Sequence, residues 1–374
     1  MIKKSMLLVL GGISLCSIHN GVIASPYMTK STKLTNDRFD VFVPNLESSN
    51  EFSIGGFNLR PGGSNDYAVL VSPLNQSVAT PILSPSWEAK GFNPDFKTGF
   101  NLIFRHAFMN SGSDVNLYWA RLRTSDKNTF YVNRSSSATQ QMTGPFWNVG
   151  PDAAPTSNAN GKLKNKYDVV NLDIAKHVSF APNLETRFFA GISSVRLENT
   201  NQGNFSGVDP ILSSYSFSLK TRSKYNALGM RFGMEGEYQG FYNINFVGSL
   251  AGNLYIGKSK PRTYTTGAGN ILEIGGISEN YQYITHKKYT QVVPAVDAKL
   301  GVKYSKQFSN EKLFSLELGY MSSIYINAMQ SYVPSTYVPG SLGIVSGSVF
   351  LQSLIKTTEN FSLDGPYVTF SLKT

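Results

Sequence analysis

From Ala227 onward the chain alternates with period two. Leu228, Met230, Phe232 and Met234 fall on one side; Gly229, Arg231, Gly233, Glu235 and Glu237 fall on the other. A helix cannot segregate those sets, but a strand does, because successive side chains point to opposite faces. A tight turn is expected at Gln239-Gly240. The chain then returns with Tyr242, Ile244, Phe246, Leu250, Leu254 and Ile256 on one parity, against Asn243, Asn245, Ser249, Ala251 and Asn253. Each arm runs to about 12 to 16 residues, where globular strands have about 5 or 6. One face stays apolar throughout while the other carries Arg231 and Glu235 in mid-strand. A strand crossing a bilayer needs about 9 to 11 tilted residues, apolar outside and polar inside. The hairpin therefore reads as two staves of a transmembrane β-barrel, with a long hairpin of a soluble sandwich as the competing reading.

The alternation recurs along the chain. Phe52 to Arg60 and Tyr67 to Val71 form one first stave, interrupted at Pro61-Gly62-Gly63. Phe100, Leu102, Phe104 and Phe108 oppose Lys97, Asn101 and Arg105, and after a turn at Asn110-Ser111-Gly112-Ser113, Val115, Leu117 and Trp119 oppose Asn116 and Tyr118. A polar loop is expected from about Thr124 to Gly161. Val170, Leu172 and Ile174 then oppose Asn171 and Asp173, and past Ala181-Pro182-Asn183, Thr186, Phe188, Ala190 and Ile192 oppose Glu185, Arg187 and Ser193. A loop to about Ser223 leads into the first hairpin, and another covers about Lys258 to Lys288. Val296, Ala298, Leu300, Val302 and Tyr304 face away from Asp297, Lys299 and Lys303; a turn at Ser309-Asn310 precedes Phe314, Leu316, Leu318 and Tyr320, opposed by Ser315 and Glu317. A last long connection holds a helical turn within Val349 to Ile355, and Val368, Phe370 and Leu372 close the chain.

Short turns near 111, 182, 240 and 309 alternate with long loops. Outer-membrane barrels have this asymmetry, with short periplasmic turns, long outer loops and an even strand number. The expected fold is an all-β, antiparallel up-and-down transmembrane barrel of ten strands. Twelve is the alternative, if the first region and residues 341–356 each add a stave. Phe108, Phe180, Tyr238, Phe241, Tyr242, Tyr304, Phe308 and Phe314 gather at the short turns, as an interfacial aromatic girdle would.

The start of the chain supports export. Lys3 and Lys4 precede an apolar run from Met6 to Ile18 and a small-residue site at Val22-Ile23-Ala24, the pattern of a secretory signal over 1–24. Residues 25–374 then form one barrel domain. Cleavage would remove Cys16, the only cysteine, so no disulfide is expected, and would lower the formal charge of +10 by the two lysines. No later apolar run approaches the roughly 18 residues of a spanning helix. Charged residues make up only 16% of the chain against a soluble norm of about 25%. Aromatics reach 13%, which favours a barrel over a soluble sandwich.

The chain resembles the Legionella-type major outer membrane protein family. The resemblance rests on Asn93-Pro94-Asp95-Phe96 leading to Gly99-Phe100-Asn101-Leu102, on Asp114-Val115-Asn116-Leu117-Tyr118-Trp119, on Tyr167-Asp168-Val169-Val170-Asn171-Leu172-Asp173, and on Gly365-Pro366-Tyr367-Val368. It implies a Gram-negative outer-membrane barrel with porin activity and surface adhesion, and no catalytic residues. The chain departs from many such barrels by ending Phe370-Ser371-Leu372-Lys373-Thr374 rather than on a terminal Phe, which bears on its signal to the barrel-assembly machinery.

Parity turns Lys97, Arg105, Arg187, Arg231, Lys299 and Lys303 inward, together with Asp173, Glu185, Glu235, Glu237, Asp297 and Glu317. Balanced signs fit two interiors: a water-filled lumen passing small polar solutes with weak charge preference, or charges that pair across the bore and close it. Barrels of about 8 strands are filled by their own side chains, and open channels come with about 16 to 18. A porin-like channel is the expected function, with a non-conducting structural or adhesive barrel as the alternative. Past the signal the histidines are His106, His177 and His286. The first two sit at strand ends and read as tethers or girdle residues, and His286 has Glu273 and Glu279 near it in sequence only. Catalysis is not expected, nor any metal or cofactor. Basic residues gather where staves meet long loops. Arg121, Arg123, Lys258, Lys260 and Arg262 are the candidates for contact with lipopolysaccharide phosphates, with a merely solvated rim as the other reading. Nucleic acid is a poor partner for an exported barrel; outer-membrane lipid, a second copy of the chain and a host surface ligand are the remaining candidates.

Overall fold

The computed structural model describes residues 41–63, 66–72, 86–131, 141–143, 158–209, 213–269, 280–309, 312–334, 337–338, 350–351 and 354–374. The expected signal segment lies outside them, as do Glu273, Glu279 and Asn310. Ten long strands close into a ring: β1 Ser49–Gly62, β2 Lys97–Phe108, β3 Ser113–Tyr131, β4 Asn158–Ala181, β5 Leu184–Asp209, β6 Ser213–Gln239, β7 Ile244–Ser259, β8 Tyr289–Ser309, β9 Lys312–Pro334 and β10 Leu354–Lys373. Each pairs antiparallel with its neighbours in sequence, and β10 returns to β1 through Phe52↔Leu372 to Gly62↔Ser362. At the seam Asn50 and Thr374 exchange two backbone hydrogen bonds, each 2.9 Å. The ring is thus the expected ten-stranded up-and-down barrel, and both chain ends of the ring lie on the short-turn side.

The inside–outside assignment follows the alternation. Met230 is 75% exposed and Phe232 62%, on the outer face, while Ala251 and Asn253 of the paired strand are buried inside. Val170, Leu172 and Ile174 are likewise exposed, and Asn171 and Asp173 buried. With no water inside the hydrocarbon, every backbone group must be paired within the protein, and only a closed ladder does that for strands. The girdle residues Phe108, Tyr238, Phe241, Tyr242, Tyr304 and Phe308 are all exposed around the short turns.

Several boundaries differ from expectation. The turn between β6 and β7 is not at Gln239-Gly240 but over Phe241 to Asn243. Tyr242 (φ 55°) and Asn243 (φ 64°) both adopt the left-handed conformation that a tight hairpin with the right twist requires. Asp66–Ser72 does not continue the first stave; it pairs with Ser86–Gly91 and Gln141–Thr143 in a separate three-stranded sheet. Phe350–Leu351 pairs with Tyr337–Val338, and Leu354-Ile355 already belong to β10, so the described part of the expected helical turn is strand. Arg262–Gly269 and Asn280–Thr285 add to the outer end of β6 and do not enter the ring.

The largest difference is strand length. β3 and β4 stay paired to Tyr131↔Asn158, and β5 and β6 to Asp209↔Ser213. These stretches were expected to be loops. They are mostly polar on the outer face, which lies beyond the apolar band, and carry only scattered apolar residues such as Ala159, Phe205 and Leu219 inside, so no sustained alternation marks them. The result is a ladder that rises well past the membrane on one side of the ring. A small core of Tyr67, Ala68, Ala159 and Phe205, with Phe92 and Phe130 against it, fastens the three-stranded sheet to this ladder.

Candidate functional site

Inside the ring the side chains form two layers. The layer toward the outer side is apolar and aromatic. It includes Phe57, Leu59, Leu122, Val169, Leu197 and Val293, and nine of the ten staves contribute to it. The tenth, β2, supplies Gly99, where an added Cβ would collide with the Phe57 ring. Tyr225, Tyr255 and Tyr325 are 0% exposed at its centre. Tyr167 on β4 and Tyr325 on β9 lie five staves apart in a ring of ten, which is diametrically opposite. Their rings are nevertheless 6.2 Å apart, and the Tyr325 hydroxyl donates to the Tyr167 oxygen at 3.4 Å. Tyr255 adds a ring contact to Tyr325 at 5.8 Å and a 2.7 Å hydrogen bond to Ser193. A bulge between Tyr325 and Met329, with Asn327 at φ 58°, turns Ala328 and Met329 into the same layer. Side chains meeting across the full diameter fill the bore here.

The layer below it, toward the short turns, is ionic. Asp114 is fully buried and accepts two hydrogen bonds from Arg187, from Nε and Nη2, each 2.7 Å. His177 lies between Asp114 (2.6 Å) and Glu185 (2.5 Å). Glu235 accepts from Arg105 at 3.0 Å and from Arg187 at 3.2 Å. Arg231 reaches Asp297 at 2.6 Å and Asp173 at 3.6 Å, and Lys303 pairs with Glu237 at 2.9 Å. The Tyr367 hydroxyl donates to Glu317 at 2.6 Å. Lys299 sits over the rings of Tyr118 and Tyr367 at 5.6 and 5.4 Å. A cavity of about 140 Å³ opens among these groups. Buried charges persist only when paired. Most of these are, although Arg105 Nε, Arg231 Nε and Asp173 Oδ1 have no hydrogen-bond partner among the described residues, and Lys299 is met by aromatic rings instead of a carboxylate.

Eleven of the twelve expected inward charges therefore meet in this lower layer. Lys97 does not. It stands at the opposite end of β2, paired with Asp126 at 3.3 Å and Asp95 at 3.6 Å. β2 enters from the outer side, so its first residue is at the outer mouth despite its inward parity. Asp114 was missed as a site residue, although its parity with Asn116 and Tyr118 gives its direction. His106 is a tether, its Nδ1 2.9 Å from Asn50 Oδ1. His177 is not a strand-end anchor but a buried member of the ionic layer. His286 stacks on Tyr332, ring centroids 3.5 Å apart. Of the rim candidates, Arg121 and Arg123 both turn to Asp168, at 3.6 and 2.8 Å. Lys258, Lys260 and Arg262 lie four staves further round the ring, at the junction of β7 with Arg262–Gly269.

Residues 42–374 match the family described as Legionella pneumophila major outer membrane protein precursor. The chain belongs to that family. The match spans every stave of the ring, and the protein accordingly resides in the bacterial outer membrane. No curated protein matches it. Among solved structures it is similar to the outer membrane protease OmpT of Escherichia coli, at 10% identity and a TM-score of 0.38, covering 87% of this chain and 96% of that one. It is also similar to a FadL homologue of Pseudomonas aeruginosa (7% identity, TM-score 0.27, covering 87% and 90%). The toluene transporter TodX of P. putida aligns at 9% identity with a TM-score of 0.28, covering 86% and 89%.

Proposed function

We propose that this family member is a closed, structural barrel of the outer membrane that carries an extracellular β ladder, and that it does not conduct. The observation that supports this most is the meeting of Tyr167 and Tyr325 across the bore, within an apolar layer that has no exposed tyrosine at its centre. An apolar layer of that kind leaves an ion or polar solute nothing to replace its hydration. The salt bridges beneath it add to the closure by tying β2, β3, β5, β6 and β8 together. The three described histidines support a non-enzymatic reading, since each is engaged by a tether, a stack or a buried ion pair.

A porin-like channel for small polar solutes is the second reading, favoured by the ionic cavity on the short-turn side. Liposome swelling separates the two. Proteoliposomes holding the intact chain should swell no faster in small sugars than empty liposomes. A Tyr167→Ala, Tyr325→Ala variant removes both rings from the diameter and should admit them. Swelling by the intact chain at the variant's rate would favour the porin.

A further inference from the structure

Immediately above the apolar band, the outward parity of β3 through β7 turns basic, row after row. The lowest row begins two residues past Ile256 and reads Arg121, Asp168, Arg196, Asn226 and Lys258 in hydrogen-bonded register. The next reads Arg123, Lys166, Glu198 and Lys224, with Lys260 donating its backbone N–H to the Lys224 carbonyl at 2.9 Å. Above it come Ser125, Lys164, Thr200, Arg222 and Arg262, then Lys127, Lys162, Gln202, Lys220 and Tyr264. Rows two residues apart are about 6 to 7 Å apart along the strand. Thirteen of these twenty positions are cations and two are acids. Both acids are consumed internally: Asp168 by Arg121 and Arg123, and Glu198 by Lys166 (3.0 Å) and Arg222 (2.9 Å). None of Lys224, Lys260 and Arg262 forms a salt bridge among the described residues; Lys224 faces Glu198 in register, but that carboxylate is bridged by Lys166 and Arg222.

The rows do not continue around the ring among the described residues. On the opposite side Arg60 of β1 is answered by Asp364 of β10 at 3.3 Å. Cations this close destabilise one another unless anions come between them. The crowding acts on the amines themselves: Arg262 first, then desolvation, Lys288 and Arg222 push Lys260 below its usual range, and Lys164 first, then desolvation, Lys127 and Lys220 do the same to Lys162. From this register and height we infer that the outward face of β3–β7 is a docking surface for lipopolysaccharide, whose phosphates sit between the cation rows. The face looks sideways, into the leaflet, and its lowest row starts where the apolar band ends. That places the lowest rows at the level of lipid head groups, with the upper rows continuing along the same lipid rather than toward a soluble partner. Phosphate is the fitting anion because Lys and Arg bind it through charge-assisted hydrogen bonds, and a repeating grid suits several lipid molecules side by side. This extends the expected five-residue rim contact to a one-sided sheet of four rows, and it stands whether or not the bore conducts.

The test uses the full-length barrel purified in mild detergent and rebound to purified lipopolysaccharide at fixed protein. One basic residue near an anionic lipid surface contributes roughly fivefold in affinity. A Lys224→Gln, Lys260→Gln, Arg262→Gln variant should therefore bind roughly a hundredfold more weakly. Arg60→Gln with Lys356→Gln, on the other side, should match the parent. Lys224→Arg with Lys260→Arg should also match it, which separates loss of charge from misfolding; folding is read in each case as the heat-dependent shift in gel mobility. Phosphate-free lipid A should bind the parent as weakly as the triple variant binds intact lipopolysaccharide. Equal binding by parent and triple variant, equal loss on both sides of the ring, or full binding of phosphate-free lipid A would each overturn the inference. So would a heparin-type polysaccharide outcompeting lipopolysaccharide on this face.

Discussion

Replacing Asp114 by alanine tests whether the ionic layer is a connected support or a collection of surface pairs. Asp114 has no exposed area, and the Arg187 side chain is 4% exposed. The substitution removes both 2.7 Å hydrogen bonds from Arg187 and the 2.6 Å contact of His177. Breaking a buried pair by deleting one partner costs about 3–5 kcal/mol, since a charge is left behind in a poor solvent. Glu235 stays 3.2 Å from Arg187 Nη1, so the cost belongs near the lower end, about 3 kcal/mol. Adding Arg187→Met removes the stranded charge and should recover about 2 kcal/mol, because apolar replacement of a whole buried pair is close to neutral. Glu235 keeps Arg105 at 3.0 Å in the double variant. The assay is equilibrium urea unfolding of the folded barrel in detergent, followed by tryptophan fluorescence, with the m-value held as a check on two-state behaviour. A loss under about 1 kcal/mol for Asp114→Ala, or a double variant no more stable than the single one, would mean that these pairs behave as independent surface pairs and not as a connected buried support.

Phe232→Arg puts a charge on the lipid face near mid-band, at a cost of about 2–4 kcal/mol. Outer-membrane assembly should fail, whereas Asn226→Arg, on the same face within the cation rows, should assemble normally by heat-modifiable gel mobility. Ala227→Arg, which parity and rim position alone would tolerate, should also fail, because Ala227 packs against the tyrosine layer. Gly99→Ala drives a methyl group into the Phe57 ring and the Arg121 carbonyl. Overpacking of this kind costs about 1–3 kcal/mol, readable in the same urea titration.

The staves were legible because each crosses a boundary between two solvents. Leu228 to Met234 meets lipid on one side and Arg231 and Glu235 meet the interior on the other, so the period-two signal is as strong as the contrast between the two media. The same logic explains what was not legible. Thr124 to Tyr131 has water on its outer side and polar neighbours inside, so its pairing with β4 leaves no alternation to read. Tyr67 to Val71 alternates like a stave, yet belongs to another sheet, since local pattern says nothing about the pairing partner. For the interior, parity gave the direction of the charges, and the fold then brings eleven of the twelve into one layer. It could not give height along the bore, which is why Lys97 was grouped with residues at the other mouth. Nor could it show that Tyr167, Tyr255 and Tyr325 share one level, because that depends on strand register and tilt around the ring rather than on any single strand. The Tyr242-Asn243 turn was missed for a local reason: tyrosine rarely takes a positive φ, so Gly240 looked the better hinge.

Single-channel recording in a planar bilayer tests the closed bore most directly. With the intact, folded chain inserted, a trace in concentrated potassium chloride should stay at the baseline of the bare membrane, and the Tyr167→Ala, Tyr325→Ala variant should produce discrete steps. Discrete, reproducible steps from the intact chain would contradict the account.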